Sequence, residues 1–187
     1  GVEFGMMNAA IAQLSHYIDV PNYNSAGATE AKIPDIQAVY EKSFAILQCA
    51  LSGSNCIHHA AGMLESLLTV SPEQLIIDNE ILGMALRAVR GIEVDEDRLA
   101  FDAIRNMDDR LYYLTSDHTV RHLRSEFFEP VLADRHPKDT DHTIGLADIR
   151  AKAAKTAREM LAQQSNGSRL IPQEVDARLH EGFNLQL

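Results

Sequence analysis

Three short β-prone stretches, near residues 21–27, 55–60 and 111–115, are separated by segments whose apolar residues recur every three or four positions. A strand returning to a parallel neighbour needs a crossover of a dozen or more residues, so a β-α-β-α-β order predicts parallel strands joined by right-handed helical crossovers. The helices are also legible from their ends. Met6, Ala10, Ile11, Leu14 and Ile18 mark a first helix over 5–18, and Pro21 stops it by disfavouring the α region at Val20. A second helix is predicted from Pro34 to about Leu51. Its stripe of Ile36, Val39, Tyr40, Leu47, Ala50 and Leu51, broadened by Phe44 and Ile46, is wide enough to pack on a sheet. Ser71 reads as the N-cap of a helix from Glu73 to Arg90, with Leu75, Ile77, Ile81, Ala85 and Val89 inward and Gly91 as its stop. Asp95 should cap a shorter helix over 96–106, and Ser116 another that runs to about Phe128 before Pro130. The Ala-, Lys-, Arg- and Glu-rich segment 140–164 predicts a further helix, and a linker at 165–168 precedes a last short one at about 173–182.

Composition narrows the class. Of 187 residues 45% are hydrophobic, enough for a core. No run approaches 18 apolar residues, and the first residues lack the basic start of a signal peptide, so a cytoplasmic protein without a membrane span is expected. A net charge of −10 with no basic stripe argues against nucleic-acid partners. Cys49 and Cys56 have no metal-ligand spacing and read as small buried hydrophobes, and the six methionines as fillers of core gaps. The sequence opens at Gly1, already in the middle of a helical pattern, so the chain is expected to be cut from something longer.

Three strands and several helices fit a small open sheet or the second part of a (β/α)8 barrel of roughly 250 residues or more. The expected architecture is α/β: the C-terminal part of a TIM-type barrel over 1–139, followed by a helical extension over 140–187. A partial barrel leaves sheet edges and apolar faces uncovered, so self-association into a homo-oligomer is expected.

Specific residues carry a family resemblance. Asn22 to Asp35 (NYNSAGATEAKIPD), Asn55 to Ser66 (NCIHHAAGMLES), Glu80 to Val94 (EILGMALRAVRGIEV), Leu99 to Ile104 with Asp117 to Phe128, and the Pro172 to Phe183 tail resemble, in order, the trimethylamine methyltransferase family, and more narrowly its members without pyrrolysine. The resemblance implies a (β/α)8 barrel whose full chain is more than twice this length. It also implies transfer of a methyl group from a methylated amine, often a quaternary one such as a betaine, to the cobalt of a separate corrinoid protein. No cofactor would then be held tightly by this chain, because the corrinoid (cobalamin) comes with the partner. Where relatives carry pyrrolysine, near Ala26 to Thr29, this sequence has ordinary residues, Ala28 being the best match. One departure is Asp108-Asp109-Arg110-Leu111, which stands where many relatives have a GPGG turn; this bears on the substrate class and the corrinoid-facing loop.

Sites in such barrels lie at the C-terminal ends of strands, which selects Tyr23 to Ala28 and His58 to Glu65. A quaternary ammonium donates no hydrogen bond and is held by aromatic faces, whereas a carboxylate on the same substrate wants imidazole, amide or backbone donors. Tyr23, Asn24 and Ala28 are therefore the substrate-binding candidates, and His58, His59 and Glu65 the catalytic ones. His58 and His59, adjacent on a strand, should point to opposite faces, so that only one reaches the interior; the plain alternative for each is a hydrogen-bonded core histidine. Glu65 could equally serve as a structural cap or pair.

Two other function classes remain open: a metal-dependent barrel hydrolase built on His58, His118 and His122, and a non-catalytic relative that only binds betaines. His118 and His122 are spaced i, i+4 with Glu126 a turn further, but the stretch lacks the internal glutamate of HExxH and reads as a capped surface helix. No metal site is assigned. The Glu93 to Asp97 acid cluster reads as a solvated helix start.

Overall fold

The structure is a computed structural model that describes residues 1–107, 112–135, 148–165 and 171–182. Helix α1 (Val2–Tyr17) is followed by β1 (Tyr23–Ser25), α2 (Ile36–Leu51), β2 (Cys56–His58), the short strands β3 (Met63–Leu64) and β4 (Thr69–Val70), and α3 (Pro72–Arg90). Then come α4 (Glu96–Leu99), α5 (Phe101–Arg105), α6 (Asp117–Glu126), α7 (Ile149–Ser165) and α8 (Gln173–Gly182). Among the described residues the molecule is helix-dominated with two small sheets. No closed barrel is present among the described residues.

Strands β1 and β2 pair in parallel with Tyr23 opposite Cys56 and Ser25 opposite His58, as the β-α-β order predicts. Two asparagines fix that register just before the strands begin. Asn55 Oδ1 accepts from the Asn22 backbone N–H at 3.0 Å and from its side-chain amide at 3.1 Å, while Asn22 Oδ1 accepts from Ser54 Oγ at 2.7 Å. Asn8 of α1 then stitches the helix to β1: its Oδ1 accepts from the Ser25 N–H and its carbonyl from the Asn24 amide, each at 3.1 Å. Asn24 and Ile57 thus face the helices, and Ile57 packs on a core of Ala26, Ala45, Ile46, Cys49, Ile77, Ile81, Ala85, Leu132 and Ala153.

The caps fall where the sequence puts them. Asp35 accepts from the Ala38 N–H, Ser71 from Gln74, Asp95 from Arg98 and Ser116 from Thr119, and Gly91 closes α3 at φ 72°. The buried faces of α1 and α2 do not. Their large apolar residues, including Met6, Ile11, Leu14, Tyr40, Phe44 and Leu51, are exposed, and the packed stripes are Gly5, Asn8, Ala12 and Ser15 against Ala38, Lys42, Ala45, Ile46 and Cys49. Close approach decides this. A Cβ on Gly5 would stand 3.0 Å from Ala45 Cα and collide with Gln48 Oε1, so only small residues fit the crossing. Helix α2 accordingly packs mainly on α1 and α3 rather than on a sheet.

Other expectations are corrected. Over the described residues 112–115 the third strand is not formed: Tyr113–Thr115 is a 3-10 turn in which Thr115 Oγ1 and Ser116 Oγ donate to the Tyr112 and Tyr113 carbonyls, a local alternative to strand pairing, and Leu111 lies outside the described residues. The helix expected over 96–106 breaks at Ala100, which adopts a left-handed φ of 52°. Strand β2 is partly exposed, Cys56 is exposed rather than buried, and Met6, Met7, Met84 and Met160 lie at the surface. The antiparallel β3–β4 hairpin, with Met63 opposite Val70, is a further difference from the sequence pattern. Residues 108–110, where the departure from the GPGG turn falls, 136–147 and Phe183 lie outside the described residues.

Helix α7 lies against α3 with Ala153 and Ala157 buried. The segment between them is clasped by Glu80, whose carboxylate accepts from the N–H groups of Val131, Leu132 and Ala133, while Lys152 Nζ donates to the Leu132 carbonyl at 3.0 Å. No described helix is long and apolar enough to cross a membrane.

Candidate functional site

With Asn24 and Ile57 turned to the helices, the opposite face of the β1–β2 pair carries Tyr23, Ser25, Cys56 and His58. On it three rings meet. Tyr23 and His58 stack with centroids 4.2 Å apart at 25°, and His58 and His59 lie 4.0 Å apart at 45°. The expectation that the two histidines point to opposite faces is therefore corrected. His59 lies past the end of β2 with φ 57°, and the left-handed residue cancels the alternation that a continuing strand would impose. Ser25 Oγ sits 3.4 Å from His59 Nδ1, a weak tether that sequence reasoning missed.

Partial burial, with the neighbouring His59 adding to it, holds the His58 imidazole below the ordinary histidine value. At neutral pH that ring is uncharged. A face of one phenol and a neutral imidazole is attractive to an organic cation, which a protonated ring would repel.

Behind the rings, Gly27 (φ 86°) follows β1 so closely against the segment after β2 that a Cβ there would lie 2.8 Å from the Ala60 carbonyl oxygen. Ala28 is half-buried and, with Phe4, Thr29, Glu30, Ser66 and Leu67, lines a cavity of about 240 Å3. Thr29 is buried and donates to Glu41 at 2.6 Å. The Glu41 carboxylate also accepts from the Glu30 N–H at 3.0 Å; burial raises its pKa, but these bonds outweigh it and hold the group below the ordinary value.

Glu65 starts a turn in which three consecutive residues, Glu65, Ser66 and Leu67, have positive φ (49°, 53° and 73°). Its N–H and that of Ser66 donate to the Ala31 and Thr29 carbonyls, and its carboxylate accepts from Thr69 Oγ1 at 2.9 Å. Of the six candidates the structure thus brings Tyr23, His58 and His59 together. It places Ala28 at the neighbouring cavity, Glu65 beside it in the turn, and Asn24 on the far side of the sheet in contact with α1.

A buried ion pair supports this end of the sheet. Lys42 and Asp78 are both fully buried and 3.0 Å apart. Lys42 Nζ also donates to the Met63 carbonyl at 2.8 Å, and Asp78 accepts from the Gly62 N–H at 2.7 Å and from Gln74 at 2.8 Å. The pair thereby fastens the loop after His58 and His59 to α2 and α3. Burial pushes the Asp78 carboxyl up and the Lys42 ammonium down, and each partner opposes the other's shift. A lysine among the small residues of α2 was the available signal in the sequence.

Among the described residues His58 is not grouped with His118 and His122, so the three-histidine metal site of a hydrolase is not formed. Glu126 does not join those histidines either; it pairs with Arg87, Arg90 and Arg98. Nor is the acid cluster simply solvated: Asp95 and Glu93 hold Arg98, and Asp97 meets Arg121 and His122.

Comparison with known proteins gives a concordant picture. Residues 2–183 match the family model for trimethylamine methyltransferase (MTTB). A glycine betaine methyltransferase of Desulfitobacterium hafniense (strain Y51) is 36% identical over 138 residues, 74% of this chain and 29% of that protein. The trimethylamine methyltransferase MttB of Desulfitobacterium hafniense (strain DSM 10664 / DCB-2) is 33% identical over 177 residues, 95% of this chain and 35% of the relative. That of Methanosarcina barkeri (strain Fusaro / DSM 804) is 37% identical over 159 residues, 85% and 32%. The chain spans about a third of the length of these relatives. A match across nearly the whole chain, together with relatives above 30% identity, shows that it belongs to the trimethylamine methyltransferase family.

Proposed function

We propose that this chain supplies part of the substrate site of a methyltransferase that takes a methyl group from a small methylated amine, a quaternary one such as a betaine, and delivers it to a corrinoid protein. The observation that carries the reading is the ring cluster of Tyr23 stacked on His58, with His59 tilted against it, on the uncovered face of two parallel strands. Parallel strands with helices on one face and polar side chains on the other are what one sector of a (β/α)8 barrel presents, which supports 1–139 as barrel and 140–187 as a helical extension. In that reading Tyr23, Ser25, Cys56 and His58 line the interior.

The ring faces bind and orient the ammonium, worth about 0.5–2 kcal/mol per good contact. A carboxylate on the substrate takes a hydrogen bond from one imidazole, and Ala28 borders the adjoining cavity. In this reading His58 positions the substrate, and alignment of nitrogen, methyl and acceptor does the rest. The corrinoid is the methyl acceptor, carried by its own protein as a second substrate, and supplies a cobalt nucleophile. Two unpaired cysteines, Cys49 and the exposed Cys56, support a reducing, cytoplasmic setting, and the exposed apolar stripes of α1 and α2 support a homo-oligomer or burial against further chain.

The test is to offer the full-length protein a panel of quaternary and tertiary amines with reduced corrinoid and to follow corrinoid methylation. Turnover with at least one amine is expected. Binding of a betaine without any demethylation would instead identify a non-catalytic binder, and neither binding nor turnover across the panel would overturn the reading.

A further inference from the structure

A second cluster, on different elements, brings together three metal-ligating side chains from two helices. His118 and His122 lie one turn apart on α6 with their rings 4.7 Å apart, and Asp97 comes from α4. His118 Nε2 is 2.7 Å from the Asp97 carbonyl oxygen, and His122 Nε2 is 2.8 Å from Asp97 Oδ2. Both imidazoles therefore aim the same ring nitrogen at one residue. One nitrogen from each histidine and a carboxylate oxygen all lie within 4.8 Å of one another. Ligands about 2.0–2.1 Å from a zinc ion stand about 3.3–3.5 Å apart, so small side-chain rotations close the set.

From this geometry we infer that Asp97, His118 and His122 form a site for a borderline divalent transition cation, of which zinc is the best fit. Two imidazoles and one carboxylate suit zinc and its neighbours and not calcium or magnesium, which take oxygen ligands. The ligand-bearing helices are braced against each other. Arg98 of α4 is held by its own cap residue Asp95 and reaches Glu126 of α6 at 3.5 Å. Glu126, the acid that sequence spacing offers as third ligand, is thus the brace and Asp97 the ligand.

Without metal each histidine donates its Nε2 proton to Asp97. A metal ion takes the lone pair of that same nitrogen, so it replaces these two hydrogen bonds. Arg121, 3.1 Å from Asp97 Oδ1, neutralises the carboxylate in the metal-free state and competes with the cation. Three protein ligands leave at least one coordination position free. Asp97 and His118 also line an open cavity of about 910 Å3 with Phe101, Asp102 and Tyr112, from which water or a small anionic ligand can complete the shell.

The experiment uses intact protein stripped with a chelator. Zinc is titrated by calorimetry, and cobalt(II) by the visible absorption that reports nitrogen and oxygen ligation. One equivalent should bind, and His118→Ala, His122→Ala and Asp97→Asn should each weaken binding at least about tenfold. His58→Ala and His59→Ala should leave it unchanged, which separates this site from the proposed amine site, and Arg121→Ala should bind at least as tightly as wild type. A wild-type measurement guards against misfolded variants: zinc should protect His118 and His122 from diethyl pyrocarbonate, located by peptide mapping. Failure to bind an equivalent at up to about hundred-micromolar metal, binding that survives all three ligand variants, or unprotected histidines would overturn the assignment.

Discussion

Replacing Lys42 by methionine removes the cation from a fully buried pair while nearly conserving volume, so the lost packing is small. Asp78 is left with the Gly62 N–H and the Gln74 amide where it had three donors. The Met63 carbonyl loses the Lys42 donor as well, a loss of about 1 kcal/mol that does not vary with pH. Breaking a buried pair typically costs about 3–5 kcal/mol, but here the cost has a ceiling, because Asp78 can take up a proton. Protonating a carboxyl of ordinary pKa 3.8 costs about 4 kcal/mol at pH 7 and about 2 kcal/mol at pH 5. The sign follows from linkage. With its pKa raised above the unfolded value, the folded variant binds more protons than the unfolded chain, so its stability rises as pH falls. The destabilisation relative to wild type should thus be about 3–5 kcal/mol at pH 7 and about 2 kcal/mol smaller at pH 5. Urea denaturation of both proteins at the two pH values measures it. Lys42→Met with Asp78→Asn removes the titrating group and should lose the pH-dependent part. A destabilisation equal at both pH values, or one below about 1 kcal/mol at pH 7, would refute the reasoning.

In the amine site, His58→Ala or His59→Ala, but not both equally, should weaken binding of a carboxylate-bearing quaternary amine by about 1.5–3 kcal/mol, roughly ten- to hundredfold, by calorimetry on the full-length protein. Tyr23→Ala should cost about 0.5–2 kcal/mol through the lost ring face, and His118→Ala should leave amine binding unchanged. Because partial burial and the neighbouring His59 hold the His58 pKa below the ordinary histidine value, amine affinity should hold at neutral pH and fall as the solution is acidified through the depressed value; His58→Phe should flatten that profile, and an unflattened one assigns the titration elsewhere. Gly5→Val should destabilise the α1–α2 crossing by about 1–3 kcal/mol in thermal melts, since the new side chain meets Ala45 and Gln48; an unchanged melting temperature would show that the helices are not in close contact.

Helix ends were legible because a cap is a local event. Asp35, Ser71, Asp95 and Ser116 each bond an N–H three residues on, a pattern the sequence states outright. The parallel pairing of β1 with β2 was legible for a related reason, since a long helix between two strands leaves little other choice. Which face of a helix is buried was not. Periodicity assigns the core to Ile36, Tyr40, Phe44 and Leu51, whereas the crossing at Gly5 and Ala45 admits only small residues, and the distance between two axes is not written in either helix alone. The site residues divide in the same way. Tyr23, His58 and His59 could be chosen by type and position, but the His59 ring joins the Tyr23–His58 stack only through its own left-handed backbone, and Asp97 joins His118 and His122 only through tertiary packing across 21 and 25 positions.

Backbone strain independently marks the same end of the sheet. His59, Glu65, Ser66 and Leu67 all have positive φ without being glycine, and each such residue costs about 1–2 kcal/mol relative to its ordinary conformation. Turns free to relax would not keep four of them within nine positions. They persist because the surroundings over-determine them. The Glu65 and Ser66 N–H groups are held by the Ala31 and Thr29 carbonyls, Thr29 is held by Glu41, and the loop before them is fastened at Gly62 and Met63 by Asp78 and Lys42. Of these fasteners, the part-buried Thr29–Glu41 bond and the fully buried Lys42–Asp78 pair are side-chain interactions reaching out from α2 and α3, and both bear on segments flanking the rings of His58 and His59. A fold that needed only to join β2 to α3 could do so with a relaxed loop. This one commits a buried charge pair and four strained residues to holding two histidines and a tyrosine ring to ring, which is the expense expected where side-chain position, rather than stability, is what the structure has to deliver.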